Sequence, residues 1–128
     1  MNTKLLNQYN VSFRITYNEV MNKNLAKLHL EQNDTLGLFL YLLFEQGTRD
    51  GHLKEILKTI TKAENNQPFD PTDDGAPESI SLHIGKNITI LERIYHLDTM
   101  QIPTNDLKGI ILCWFEFLTK NKLENSVW

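Results

Sequence analysis

The sequence predicts an α+β fold, a single two-layer domain whose antiparallel sheet carries helices on one face, in the order ββααβββα. Two observations predict it. Apolar and polar residues alternate between positions 9 and 31 and again between 79 and 95, the period of half-buried strands. Between these blocks, and again after them, apolar residues recur at three and four positions, the period of helices.

The elements follow in order. Residues 1–8 read as a polar lead-in, expected to be a flexible end like residues 122–128. Tyr9, Val11, Phe13, Ile15 and Tyr17 alternate with polar residues as a strand. A turn at Asn22-Lys23-Asn24 leads to a second strand carrying Ala26, Leu28 and Leu30, paired back as a hairpin. Asn33 or Asp34 caps a helix from Thr35 to about Gly47. Its stretch Leu36–Phe44 is apolar on nearly every side, which predicts a buried helix or one covered by a partner. Gly37 within it implies close backbone packing. Leu53, Ile56, Leu57 and Ile60 define an ordinary amphipathic helix with Lys54, Glu55 and Lys58 toward water.

Residues 65–77 hold three of the four prolines, which rules out a helix or a central strand there. Ile80, Leu82 and Ile84 mark a strand; after a turn at Gly85-Lys86-Asn87, residues 88–95 alternate again, and a short piece around Met100–Ile102 completes a meander. The closing helix, Pro103–Lys120, has Thr104 as N-cap candidate and an apolar face of Leu107, Ile110, Ile111, Trp114, Phe115 and Leu118.

At 128 residues the chain is one domain, 1–128, large enough to bury about two-thirds of its unfolded surface without a metal or disulfide staple. The apolar run 36–44 is too short to cross a bilayer, and the first residues lack the apolar core of a signal peptide. The lone Cys113 suits a reducing compartment. Together these predict a cytoplasmic protein with no membrane partner.

Charge is unevenly placed. Residues 1–62 carry 8 bases and 6 acids, residues 81–128 carry 5 of each, and residues 63–80 carry 5 acids and no base. The acids are Glu64, Asp70, Asp73, Asp74 and Glu78, a local charge of −5. A balanced remainder without a basic stripe argues against nucleic-acid binding.

Catalytic and metal patterns are weak. Asp70, Thr72, Asp74 and Gly75 imitate the start of a calcium loop, but Ser81 stands where the bidentate Glu belongs and Pro71 and Pro77 interrupt it. His29, His52, His83 and His96 lie far apart, without a metal-helix spacing. Cys113 lies beside the apolar face of its helix with no basic neighbour to activate it. Asp73 and Asp74 are adjacent rather than across a cleft. No cofactor and no enzymatic activity are expected; a small enzyme using His29, His83 or His96 with a loop carboxylate is the weakest reading. Trp128 either docks on the surface or presents itself to a partner.

The C-terminal third, with Ile102-Pro103 followed by Leu107, Ile110, Ile111, Trp114, Phe117 and Leu118, resembles small bacterial immunity proteins of polymorphic-toxin and contact-dependent growth inhibition systems. That resemblance implies a non-enzymatic protein that binds and neutralises one cognate toxin domain, often a nuclease. It assigns no binding residue. Charge alone nominates Glu64, Asp70, Asp73, Asp74 and Glu78 to cover a basic active-site surface. The alternative is a structural or regulatory homodimer formed through the apolar 36–44 helix or an uncapped hairpin edge.

Overall fold

A computed structural model describes residues 2–32, 34–47, 52–73, 80–93 and 98–123. The elements are α1 (Thr3–Gln8), β1 (Val11–Asn18), β2 (Lys23–Leu30), α2 (Thr35–Gly47), α3 (His52–Glu64), β3 (Thr72–Asp73), β4 (Ile80–His83), β5 (Ile88–Arg93), β6 (Asp98–Pro103) and α4 (Thr104–Lys120). The fold is α+β with antiparallel pairing throughout. Among the described residues the strands form two sheets rather than one: the β1–β2 hairpin, and a sheet ordered β3-β4-β5-β6.

The first residues are not a loose lead-in. Asn2 caps α1 by accepting the Leu5 N–H at 3.1 Å, and Leu6 is buried. Asn10 ends the helix in the left-handed region at φ 55°, where Asn is tolerated better than most residues. The same device closes α3 at Asn66 (φ 54°) and α4 at Lys122 (φ 53°). In both helices the next residue also bonds back, Gln67 N–H to the Lys62 carbonyl and Leu123 N–H to the Leu118 carbonyl. Residues 122 and 123 therefore belong to the cap of α4, whereas 124–128, including Trp128, lie outside the described residues.

The hairpin turn falls at residues 19–22, with Asn22 at φ 52° and the Asn18 carboxamide accepting the Met21 N–H. β2 thus begins earlier than its apolar alternation suggests. Asp34 caps α2 through the Gly37 N–H at 2.6 Å, and its other carboxylate oxygen accepts from the Asn10 side chain at 2.8 Å. A Cβ on Gly37 would stand 3.0 Å from both Asp34 Oδ1 and Leu30 Cδ2, which explains the glycine. α2 packs on β2, on β4 and on α3, so its apolar surface is used on several sides. Phe39, Leu40, Leu43 and Phe44 are fully buried.

α4 lies against β5, β6, α1 and α3. Trp114 meets Phe13 of β1 edge-on at 5.2 Å and Phe44 of α2 edge-on at 5.7 Å. Phe13 also touches Phe117 at 5.7 Å. This aromatic cluster joins the hairpin to the two long helices, and such ring pairs add about 0.5–1.5 kcal/mol each beyond their buried area.

One expectation about a side chain is corrected. Thr104 is not the N-cap of α4; Pro103 holds that position without a side-chain bond. Thr104 is instead the first helical residue, buried, and its hydroxyl donates to the Gly85 carbonyl at 2.6 Å. The hydroxyl has one proton, so its 2.8 Å bond to Thr89 must be donated by Thr89. On β5 the inward residues are Thr89 and Leu91, while Ile88 is 44 % exposed. The Thr89–Thr104 bond and the Leu82–Leu91 pairing select that face.

At the other end of the sheet, the Arg93 guanidinium forks onto Asp98 with bonds of 2.8 and 2.7 Å and lies 5.7 Å over the Phe39 ring. No helix among the described residues is long and apolar enough to cross a membrane.

Two stability predictions follow from these buried polar contacts. Thr104→Val leaves the Gly85 carbonyl and the Thr89 hydroxyl without their partner and should cost about 1–3 kcal/mol in urea unfolding, whereas Thr104→Ser should recover most of it. The buried Tyr9 hydroxyl donates to Asp106 at 2.5 Å, and burial first, then that bond and the carboxylate charge, hold its pKa well above the usual 10. Above pH 10 the unfolded tyrosine ionises and the folded one does not, so stability should fall as pH rises. Comparison of urea midpoints at pH 8 and near pH 11 should show a smaller fall for Tyr9→Phe.

Candidate functional site

The acidic segment springs from the C-terminal end of α3. The helix ends there because Asn66 turns left-handed, and the cap holds residues 65–67 against the last turn. Beyond it the chain runs along the surface, with Asp70 exposed, until Pro71 accepts the Ile84 N–H at 2.7 Å. β3 then pairs Thr72 with His83 and Asp73 with Leu82, which makes it the edge of the four-stranded sheet. A two-residue edge strand is compatible with the prolines beside it. The segment is thus tied to the domain at its start and again at β3.

The five nominated acids fare differently. Glu64 is described completely, and it is not bare: its carboxylate takes Lys108 Nζ of α4 at 2.9 and 3.1 Å. The expectation of five acids without a counter-charge is corrected at this residue. Lys108 and Glu64 are 31 % and 38 % exposed, so water screens the pair. Asp73 is placed by its backbone in β3, and Asp74 and Glu78 lie outside the described residues. The structure therefore brings Glu64, Asp70 and the Asp73 backbone onto one continuous surface segment and gives no arrangement for the rest.

Two lysines missed in the sequence stand at the root of this segment. Lys86, in the β4–β5 turn, donates to the Asn66 side chain at 3.0 Å. Lys108 reaches from the first turns of α4. A depression of about 260 Å³ opens between Glu64, Lys86, Asn87, Asn105 and Lys108, with Ile60 and Thr104 beneath. No local pattern could have announced them, since Lys86 is 20 residues from Asn66 and Lys108 is 44 from Glu64. Their chemical effect is to place positive charge at the start of the segment, where Lys108 pairs with Glu64.

The histidines do not converge on this root. His83 is exposed on β4, His29 is on the hairpin, and His96 lies outside the described residues. Among the described residues no three His, Cys, Asp or Glu side chains are grouped to hold a metal ion. The Asp70–Gly75 calcium-like pattern lies partly outside the described residues. Cys113 is buried.

Comparison with family models, with curated proteins and with solved structures finds no match to this chain.

The root makes a modest energetic prediction. A double-mutant cycle with Glu64→Gln and Lys108→Met should return a coupling of about 0.5–1 kcal/mol in unfolding experiments, reduced in high salt.

Proposed function

We propose that this chain is a non-enzymatic, cytoplasmic immunity protein that binds one cognate toxin domain of nuclease type and blocks it. The carrying observation is the placement of charge: five acids and no base in residues 63–80, in a chain otherwise near balance. A nuclease surface is basic because its substrate is a polyanion, and an acidic segment competes for the same surface. Two ties support this reading mechanically. The Asn66 cap and the β3 pairing limit the conformations of the segment, so less entropy is lost when a partner orders it.

Within this proposal the acids divide by role. Asp70, Asp73, Asp74 and Glu78 meet the cationic partner. Glu64 anchors the segment to α4 through Lys108 and contributes less to encounter. Long-range attraction would act chiefly on the association rate and would weaken with salt.

The test is the combined variant Asp70→Asn, Asp73→Asn, Asp74→Asn, measured against a catalytically inactive form of the proposed cognate toxin domain. Its association rate should fall by about 10-fold or more at low ionic strength, with a flatter salt dependence. Unchanged rate and slope would remove the electrostatic mechanism.

A further inference from the structure

The two sheets treat their edges differently. In the four-stranded sheet, one edge is β3, described over its two residues Thr72–Asp73, and the other, β6, ends on Pro103, which has no N–H to offer. Short strands and proline are common guards against pairing with another chain. β1 has neither. It runs for 8 residues in unbroken register with β2 and contains no proline.

Its central residues 14–17 are all exposed, on both faces, while Leu25, Ala26 and Leu28 of β2 are buried. Among the described residues, the open side of the hairpin is therefore the β1 side. Ile15 and Tyr17 are 44 % and 58 % exposed, and the one charge in β1, Arg14, is already engaged by Glu31 at 3.2 Å.

The ladder also shows which backbone groups face outward. Glu31 N–H donates to the Asn10 carbonyl at 2.8 Å, so residues 10 and 31 form a hydrogen-bonded pair. Such pairs alternate along an antiparallel ladder, so Ser12, Arg14, Thr16 and Asn18 bond to β2. The N–H and C=O groups of Phe13, Ile15 and Tyr17 point the other way, on the residues whose side chains form the apolar face.

We propose that β1 is a homodimer interface: it pairs antiparallel with β1 of a second copy about a two-fold axis through Ile15, making a four-stranded sheet from two hairpins. The choice of a second copy rests on self-complementarity. An axis through Arg14 would set two guanidinium groups opposite each other, and an axis through Thr16 would set Phe13 against Glu19. The axis through Ile15 sets Ile15 on Ile15, Phe13 on Tyr17 twice, and Arg14 on Thr16. Every outward backbone group of Phe13, Ile15 and Tyr17 then finds a partner. Charge and aromatic pairing agree on this single register.

The area limits the affinity. A strand of this length spans about 27 Å, and pairing along it covers on the order of 500 Å² per copy, below the roughly 800 Å² per partner of a standard stable interface. The dimer is a weak one, with a dissociation constant on the order of 100 μM. This inference is independent of the toxin-binding reading.

The full chain should be studied by sedimentation equilibrium and amide hydrogen exchange at about 20 μM and about 1 mM. The expected result is a growing dimer fraction in which the Phe13, Ile15 and Tyr17 amides gain protection by about 3-fold, while Ser12, Arg14 and Thr16 do not change. Ile15→Lys should remain monomeric at both concentrations with unchanged circular dichroism, because the site lies outside the core and the new charges would face each other. A chain that stays monomeric at the higher concentration overturns the proposal. So does a dimer that leaves those three amides unprotected, or one that survives Ile15→Lys. The exchange pattern of the unmodified chain decides the matter even where the variant fails to fold.

Discussion

The hairpin and the four-stranded sheet are separate ladders, so their relation rests on side chains packed between them. Trp114 is the centre of that contact. It is almost wholly buried and takes the edge-on rings of Phe13 from the hairpin and Phe44 from α2. Its own helix lies on β5 and β6. One residue thus communicates with the hairpin directly, with the sheet through α4, and with the bridging helix α2. Close packing of this kind tolerates little change in volume, which makes it a strong constraint on the fold.

Polar contacts then fix the start of α4. The Thr89–Thr104–Gly85 chain holds its start against the β4–β5 turn, and the Tyr9 hydroxyl donates to Asp106 two residues on. Lys108, one turn farther along, carries the tie to Glu64. The root of the acidic segment therefore depends on the same helix that organises the core. The β1 edge, in contrast, extends beyond the Trp114 cluster: Val11 is buried and Phe13 is packed, while residues 14–17 are exposed. Core and candidate surfaces are divided along a single strand.

Much of the architecture is legible in the sequence because it depends on local pattern. The hairpin, both middle helices, the meander and α4 all show periodicity, and Asp34 and Gly37 show their roles by type and spacing. What escapes local reading depends on distant partners. α1 has 6 residues and no repeating pattern, and it is held by burial of Leu6 and by contact of Leu5 with Gly109 of α4. Alternation does not select the inward face of β5, because Ile88, Ile90 and Leu91 place apolar residues on both faces. The division into two sheets follows from strand pairing, which alternation alone does not encode. At the candidate site the acidic run is plain in the sequence, but the lysine that neutralises Glu64 comes from another helix.

The two sheets of the described residues behave as one unit because Trp114 and its neighbours join them. Native-state hydrogen exchange in low urea, read at Arg14 and Thr16 in the hairpin and at Leu82 and Leu91 in the sheet, tests it most directly. The account predicts that both groups open with the same free energy and the same urea dependence. A hairpin that opens at substantially lower free energy while the sheet stays protected would contradict it.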